Sequence, residues 1–223
     1  MTDSIIQRIS QIRATLPPEV RLIAVTKTVP VEAIRVAYQA GIRDFGENRI
    51  QEALEKQIQL QDLPDVRWHL IGHLQSNKAV KAVEQFDWIH SVDSLKLATR
   101  LDRLATEKQR SPQVCLQVKI LPDPDKFGWS VQALLEDLPQ LNELKQIQIR
   151  GLMTILPQGL NQSETKQAFE QIRELSEQIR QQNWSQIQMQ ELSMGMSGDY
   201  PLAVEAGATM IRLGQIIFGA RRA

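Results

Sequence analysis

Three short segments combine residue types that could bind a phosphate-bearing carbonyl compound. Lys27 ends the apolar segment RLIAVTK (21–27). The segment SMGMSGD (193–199) combines hydroxyl groups with two glycines, and RLGQ (212–215) places an arginine close to a glycine. A partly buried lysine amine has a lowered pKa and can form a Schiff base with an aldehyde or ketone. Glycine-containing turns present backbone N–H groups to anions. Together these segments predict a site for a phosphate-bearing aldehyde or ketone.

Each of these segments also has a structural explanation that needs no ligand. A lysine at a strand end can reach solvent along its aliphatic chain, glycines permit tight turns, and Ser197 can cap the helix that follows it. Arg212 lies between Ile211 and Leu213, so it forms either a buried salt bridge or a fixed hydrogen bond to a ligand. We favour the ligand because two such turns occur together with the lysine.

The segment WHLIGHLQSNK (68–78) contains two of the three histidines, His69 and His73. Their spacing suits a metal-binding pair on a helix, but Gly72 lies between them and the segment is typical of a strand that enters a loop. We therefore predict no metal site and place His69 at the rim of the binding site. Cys115 lies in an apolar segment typical of the core, and no Gly-x-Ser-x-Gly nucleophile elbow is present.

Apolar strand-like segments alternate with amphipathic helices along the chain. The predicted strands are RLIAVTK, IRDFGEN, VRWHLIG, FDWIHSV, QVCLQVKI, IQIRGLMTI, IQMQELSMG and TMIRLGQIIFG. Strands that alternate with helices form a parallel sheet. Eight such units predict a single-domain (β/α)8 TIM barrel, of class α/β, over residues 1–223, with an additional N-terminal helix. An open doubly wound sheet is disfavoured because no Gly-x-Gly-x-x-Gly turn follows the first strand.

A barrel would bring the candidate residues into one mouth, since binding sites of this fold lie at the carboxyl ends of the strands. Polar residues and glycines gather at those ends, whereas the strand interiors are apolar. The residues at the predicted strand ends are Lys27, Gly46, Glu47, Asn48, His69, Gly72, Ser91, Lys119, Met153, Ser193 to Ser197, Arg212 and Gly214.

The composition excludes several classes of protein. Lys+Arg and Asp+Glu both total 26, and the resulting net charge of zero argues against a mainly electrostatic binder of nucleic acid or membranes. The single cysteine excludes an intramolecular disulfide. The N-terminal segment lacks the pattern of a signal peptide, and no apolar run approaches the roughly 20 residues needed to cross a bilayer. We expect a cytoplasmic protein.

Several motifs together resemble a known family. They are LIAVTK, FGENRIQEA, WHLIGHLQSNK, RGLM, LSMGMSGDY and IRLGQIIFG, in that order from Leu22 to Gly219. In these motifs the chain is similar to the pyridoxal-phosphate homeostasis proteins, also described as the proline-synthetase co-transcribed homologue family. The element Trp-His-x-Ile-Gly-x-Leu-Gln-x-Asn-Lys is the most specific of them.

The resemblance implies a barrel like the N-terminal domain of alanine racemase, with pyridoxal 5′-phosphate (PLP) held as an internal aldimine on Lys27. It implies that Asn48 lies near the cofactor and that Arg212 lies near the pyridine ring or the phosphate. The other cofactor-binding residues that we expect are His69, Met153, Ser193, Met194, Gly195, Met196, Ser197, Gly214 and Gln215.

Two positions depart from the family pattern. Lys119 stands where members often carry Asn, and Gln215 stands where many carry Ser or Thr. The second departure removes one hydroxyl that could bind the phosphate. Backbone N–H groups and Ser197 would then carry more of that contact.

The chemistry separates two classes of function. PLP acts as an electron sink when its ring nitrogen is protonated, and an arginine facing that nitrogen disfavours protonation because it remains a cation. A racemase also needs an acid or base on each face of the substrate. Alanine racemase supplies one from a second domain, which we expect this chain to lack, and Tyr38 and Tyr200 are the only tyrosines.

We therefore expect a non-enzymatic, monomeric carrier or regulator in PLP (vitamin B6) and amino-acid homeostasis, with apo PLP enzymes as its recipients. A weak PLP-dependent amino-acid racemase and a cofactor-free Schiff-base aldolase stay open as alternatives.

Overall fold

The computed structural model describes residues 2–219, and its first strand shows how the sequence builds the fold. In β1 (Arg21–Val25) the residues alternate between two packing environments. Ile23 belongs to a small cluster inside the barrel with Trp88, Cys115, Met153 and Met210. Its neighbours on the strand, Leu22 and Ala24, belong to the large cluster between strands and helices. Because both faces are covered, residues 22–25 of the strand are all apolar rather than alternating with polar residues.

Eight parallel strands close into a ring. Going round the barrel, each strand pairs with the next in the order β1, β2, β3, β4, β5, β7, β8, β9, and β9 pairs back with β1. The strands are β1 Arg21–Val25, β2 Asp44–Glu47, β3 Arg67–Leu70, β4 Trp88–Val92, β5 Gln113–Lys119, β6 Trp129–Ser130, β7 Gln148–Met153, β8 Ile187–Ser193 and β9 Met210–Leu213. The predicted (β/α)8 barrel is confirmed.

Helices form the outer layer. They are α1 Thr2–Thr15, α2 Val31–Gln39, α3 Ile50–Gln59, α4 Ala79–Gln85, α5 Leu95–Glu107, α6 Val131–Leu141, α7 Gln162–Arg180, α8 Tyr200–Glu205 and α9 Gln215–Phe218, with a short 3₁₀ helix at Ser76–Lys78. None of the helices within residues 2–219 is long and apolar enough to cross a membrane.

The predicted N-terminal helix is present and packs on the outside of the barrel. The Arg13 guanidinium of α1 donates to the carbonyl oxygens of Ala40 and Gly41 at the end of α2, at 2.9 and 2.7 Å. Arg8 donates to the carbonyl oxygen of Ile217 in α9 at 3.1 Å. Because α2 follows β1 and α9 follows β9, α1 covers the seam where the first and last strands of the barrel meet.

Two segments differ from the sequence prediction. The last predicted strand extends through Gly219, but β9 ends at Leu213 and the next residues form α9. Its turn is closed by N–H groups of Ile217 and Phe218, which both donate to the carbonyl oxygen of Gly214 at 2.9 Å. The second difference is β6, a two-residue strand that pairs with the end of β5 at the end of a segment predicted as loop.

Candidate functional site

The carboxyl ends of six neighbouring strands bring the predicted site residues to one end of the barrel. Lys27 follows β1, and Asn48 follows the adjacent strand β2. On the other side of β1, strand β9 contributes Arg212, and β8 continues into the segment Ser193–Ser197, which we call the 193–197 loop. Because all these strands are parallel, their carboxyl ends share one rim.

The turn that carries Lys27 has an unusual backbone conformation. Thr26 is fully buried and Lys27 is half-buried, whereas Thr28 is exposed and has a φ of 62°. A positive φ is unfavourable for a β-branched residue and indicates that the surroundings hold the turn in place. A cavity of about 430 Å³ adjoins Lys27, and its lining includes Arg8 of α1 and Gln215 of α9.

Beneath this turn lies a buried ion cluster of Glu47, Glu52 and Lys56. The Lys56 ammonium donates to Glu47 Oε1 at 2.7 Å, to Glu52 Oε1 at 2.6 Å and to the carbonyl oxygen of Thr26 at 2.6 Å. The Thr26 hydroxyl donates to the same oxygen of Glu47 at 2.6 Å. Burial raises the pKa of Glu47, although Lys56 and Thr26 stabilise its ionised form.

Glu52 differs from Glu47 in exposure and in the direction in which its pKa is shifted. About a quarter of its side chain is exposed, and it also accepts a hydrogen bond from the backbone N–H of Thr28. Burial alone would raise its pKa, but the hydrogen bonds from Lys56 and Thr28 outweigh that effect, so the pKa of Glu52 is lowered. Glu52 therefore stays ionised and connects Lys56 to the turn after Lys27.

The 193–197 loop follows β8 and is shaped by Gly195. This residue has a φ of +90°, and a Cβ atom added there would lie 2.6 Å from the Cβ of Ala203 in α8. The N–H of Met196 donates to Asp199 Oδ1 at 2.6 Å. Asp199, not Ser197, occupies the N-cap position of α8, so the predicted capping role of Ser197 is wrong. The Asp199 carboxylate thus closes the turn by accepting this hydrogen bond. Ser197 is half-buried at the mouth.

Backbone contacts join this loop to the end of β9 and to β1. The N–H of Arg212 donates to the carbonyl oxygen of Gly195 at 3.0 Å. A Cβ atom added at Gly214 would lie 3.2 Å from the carbonyl oxygen of Val25, two residues before Lys27. The turn after β9 is thus held between the 193–197 loop and the strand that carries Lys27.

Polar side chains form a continuous chain of hydrogen bonds through the barrel interior, which we call the lumen chain. Its members are fully or almost fully buried. It runs from Asp44 Oδ1 to His69 Nε2 (2.9 Å), His69 Nδ1 to His90 Nε2 (2.9 Å), His90 Nδ1 to Ser193 Oγ (2.7 Å) and Ser193 Oγ to Arg212 Nη1 (2.7 Å). Arg212 Nη2 donates to the carbonyl oxygen of Thr154 at 2.8 Å.

When both histidines are neutral, the two ends of the lumen chain fix the direction of every proton in it. Arginine can only donate hydrogen bonds, and an ionised carboxylate can only accept them. Arg212 therefore donates to Ser193, whose hydroxyl donates to His90 Nδ1, and His90 Nε2–H donates to His69 Nδ1. His69 Nε2–H then donates to Asp44. Burial, which lowers the pKa of both histidines, favours these neutral forms, each in a single tautomer.

Burial accounts for the protonation states along the lumen chain. Burial lowers the pKa of both His69 and His90, the second to well below its usual value. Burial also lowers the pKa of Arg212 to about 10, although the Asp199 charge opposes this shift. Burial raises the pKa of Asp44, but hydrogen bonds and charges of His69 and Arg67 outweigh it, so the carboxylate stays ionised. Arg212 is thus a buried cation near the mouth.

Comparison with known proteins decides the family. The model of the family "Alanine racemase, N-terminal domain" matches residues 1–222. The chain belongs to the alanine racemase N-terminal domain family. Its similarity to solved alanine racemases is confined to the fold. The alanine racemase of Clostridium difficile 630 has 14% identity and a TM-score of 0.79, covering 99% of this chain and 58% of that one.

Within this family, the chain is much more similar to one group. The pyridoxal phosphate homeostasis protein of Synechocystis is 57% identical over 212 residues, which is 95% of this chain and 96% of the relative. The structure of PipY from Synechococcus elongatus with PLP bound has 58% identity and a TM-score of 0.93, covering 96% of this chain and all of that one. The resemblance to the pyridoxal phosphate homeostasis proteins is therefore confirmed.

Some of the site residues predicted from the sequence lie deeper in the barrel than expected. His69 is fully buried in the lumen chain, so its predicted place at the rim is wrong. Met153 belongs to the apolar cluster inside the barrel, and Met194 packs in the cluster between strands and helices. Ser193 is buried between His90 and Arg212. These four side chains are fully buried, whereas Met196 is exposed at the mouth.

Two further functional candidates, Lys56 and Glu52, were missed by the sequence analysis. Lys56 and Glu52 are four residues apart on α3, a spacing that looks like an ordinary surface ion pair. Gly72 approaches the backbone of Asn48, because a Cβ atom added there would lie 2.2 Å from the Asn48 carbonyl oxygen. Gly72 is among the residues that the sequence analysis places at the strand ends. For Lys56 the signal was the buried face of α3, which also carries Ala53.

Proposed function

We propose that the protein binds PLP through an imine between the cofactor aldehyde and the Lys27 amine. The observation that carries the proposal is the PLP-bound structure of PipY, whose chain is 58% identical and covers almost the same length. The mouth of this barrel supports it independently. A lysine lies at the end of β1, and two glycine-containing turns lie at the ends of β9, which pairs with β1, and of β8, which pairs with β9.

The residues of the mouth fit the aldehyde and the phosphate of PLP. The Lys27 amine suits the aldehyde. Backbone N–H groups of the 193–197 loop and the turn after β9, with the Ser197 hydroxyl, suit the phosphate. Gly198 supports this fit, because a Cβ atom added there would meet no atom within 4 Å and the loop is open on that side. Asn48 follows β2, the neighbour of the strand that precedes Lys27, and Gly72 approaches its backbone closely.

We further propose that Arg212 faces the pyridine nitrogen. The guanidinium is held from below by Ser193 and by the carbonyl oxygen of Thr154, neither of which is an acid. A guanidinium can only donate, so the ring nitrogen beside it would be an unprotonated acceptor. PLP in that state is a weak electron sink. The arrangement favours holding the cofactor over stabilising a substrate carbanion.

The two tyrosines give no support to a racemase. The Tyr38 hydroxyl donates to Asp65 in the segment before β3, at the end of the barrel opposite the mouth. Tyr200 begins α8 and packs against Gly195 and the core. A racemase needs an acid or base on each face of the substrate. We propose that the protein serves PLP and amino-acid homeostasis as a carrier or regulator, with apo PLP enzymes as recipients.

The absorption spectrum tests PLP binding. Adding PLP to the purified protein is expected to produce the visible band of a protonated imine, and Lys27→Ala is expected to abolish it. Lys119→Ala is the matched control, since Lys119 also lies at a strand end and is half-buried. A band that persists in Lys27→Ala, or that is lost in Lys119→Ala alone, would contradict the proposal.

A second measurement separates a carrier from a racemase. The loaded protein is incubated with L-alanine in deuterated water, and exchange of the α-proton is followed by NMR. We expect no sustained exchange above that of free PLP. Exchange that continues over many turnovers and disappears in Lys27→Ala would establish an enzyme instead.

A further inference from the structure

Lys27 is flanked by two peptide groups that are both bound to the ion cluster of Glu47, Glu52 and Lys56. On its N-terminal side, the carbonyl oxygen of Thr26 accepts a hydrogen bond from the Lys56 ammonium at 2.6 Å. On its C-terminal side, the N–H of Thr28 donates to Glu52 Oε1. Because Lys56 and Glu52 are themselves paired at 2.6 Å, one ion pair holds the backbone on both sides of Lys27.

The Lys56 ammonium has no donor left for other partners. It carries three N–H groups, and its three acceptors are Glu47 Oε1, Glu52 Oε1 and the Thr26 carbonyl oxygen, all within 2.7 Å. An amine in this state has no lone pair for a carbonyl carbon. Lys27 and Lys56 thus have different tasks, and of the two it is Lys27 that is placed to react with an aldehyde.

The conformation of Thr28 shows why the turn needs this support. Its φ of 62° is unfavourable for a β-branched residue, and such conformations persist only where surrounding contacts impose them. The contact from Glu52 fixes the N–H of Thr28, and the Thr28 hydroxyl donates to the carbonyl oxygen of Lys27 at 2.6 Å. Without Glu52 the turn could relax to a negative φ, which would move the base of the Lys27 side chain.

We propose that Lys56 and Glu52 are positioning residues that fix the Lys27 peptide, and with it the direction from which the Lys27 amine meets an aldehyde. We call the contacts of Lys56 and Glu52 with the peptide groups on either side of Lys27 the clamp. The clamp is a property of the protein without ligand, whereas its effect on the reaction with an aldehyde rests on the proposed imine at Lys27. Glu47 completes the cluster by holding Lys56 from the β2 side.

Two variants test the clamp. Lys56→Met leaves the buried Glu47 carboxylate without its cation and can prevent folding. Glu52→Ala keeps the Glu47–Lys56 pair, changes a partly exposed position to a good helix former, and removes the acceptor of the Thr28 N–H. Lys108→Met is the matched control because it breaks another close lysine–glutamate pair, Lys108 with Glu84 at 2.6 Å, which lies at the surface.

The first readout needs no ligand. Hydrogen exchange of the Thr28 amide is followed by NMR in the full-length protein without PLP. We expect exchange at Thr28 to be about tenfold faster or more in Glu52→Ala and in any folded Lys56→Met, and unchanged in Lys108→Met. Unchanged exchange at Thr28 in Glu52→Ala would overturn the clamp.

The second readout measures the consequence for Lys27. The rate of imine formation with added PLP is expected to fall about tenfold or more in Glu52→Ala, because a displaced nucleophile loses its near-attack geometry. A normal rate despite fast exchange at Thr28 would overturn the positioning role. If the wild-type protein forms no imine but exchange at Thr28 is still faster in Glu52→Ala, the proposed function is contradicted and the clamp is supported.

Discussion

Ser193 links the mouth of the barrel to its interior, because its single hydroxyl contacts both Arg212 and His90. The hydroxyl accepts from the guanidinium and donates to His90, each at 2.7 Å. A buried cation without a carboxylate in direct contact depends strongly on such neutral acceptors. At the scale of single residues, the site therefore depends on the hydrogen bonds that satisfy buried charges as well as on the groups that face a ligand.

Ser193→Ala is expected to weaken both folding and PLP binding. It removes the acceptor of Arg212 Nη1 and leaves His90 Nδ1 without a donor, which should lower the free energy of unfolding by about 1–3 kcal/mol. Urea unfolding and PLP titration measure the two effects. Ser185→Ala is the control, because Ser185 is exposed and contacts Asn142 away from the mouth. Equal stability and PLP affinity in Ser193→Ala and wild type would contradict the role of the lumen chain.

Residue types revealed only part of this chemistry in the sequence. Lys27, Ser197 and Arg212 stand out because a lysine, a hydroxyl and an arginine occur at the ends of apolar strands. Lys56 does not stand out, because its partners Glu47 and Thr26 come from two different strand ends. Only the closed barrel brings those ends together with the buried face of α3.

The elements around the mouth are tight turns, and Gly195 shows how closely they fit. A Cβ atom at Gly195 would approach Ala203 to 2.6 Å, and the φ of +90° disfavours any other residue. Since the carbonyl oxygen of Gly195 also accepts from the N–H of Arg212, a shift here would disturb the loops after β8 and β9 together.

Gly195→Ala is expected to weaken binding of PLP more than binding of pyridoxal, which lacks the phosphate. The added methyl group displaces the backbone N–H groups that we assign to the phosphate, while Lys27 is left in place. Gly159→Ala is a matched control, because Gly159 has a similar φ of +87° but no atom within 4 Å of the added Cβ. Titrations with both compounds measure the difference. An equal loss for PLP and pyridoxal would contradict the assignment of this loop to the phosphate.

Element boundaries were less predictable than element types. The apolar residues of TMIRLGQIIFG suit a strand, but α9 begins after Gly214 and uses Ile217 to pack against the core. Short apolar segments fit either a buried strand or one turn of helix, so periodicity alone does not separate them. The barrel itself was predictable because eight apolar strands alternate with helices.

At the scale of the whole molecule, the lumen chain makes stability depend on pH. His69 and His90 are neutral in the folded protein, and burial lowers the pKa of both below the unfolded value of about 6.5. The unfolded state therefore takes up protons first as the pH falls. The stabilisation that comes from the two neutral histidines is fully present above the unfolded pKa of about 6.5 and is lost as the pH falls below it. Asp44, whose pKa is lowered by its partners, adds a further loss at more acidic pH.

The free energy of unfolding is expected to fall as the pH drops below about 6.5, with a slope of at most about 1.4 kcal/mol per pH unit for each of the two histidines. His90→Gln should lower this slope, since an amide can accept from Ser193 and donate to His69 without titrating. Urea unfolding at a series of pH values measures it, and a slope equal in wild type and His90→Gln would contradict neutral histidines in the lumen.

The covalent position of PLP is the most direct test of the account. The protein is loaded with PLP, reduced with borohydride, digested and mapped by mass spectrometry. We expect one pyridoxyl adduct, on Lys27, and no adduct on Lys56, whose ammonium is held by three acceptors. An adduct on Lys56, on Lys119 or on another lysine, or no adduct at all, would contradict the central claim that the mouth of this barrel holds PLP through Lys27.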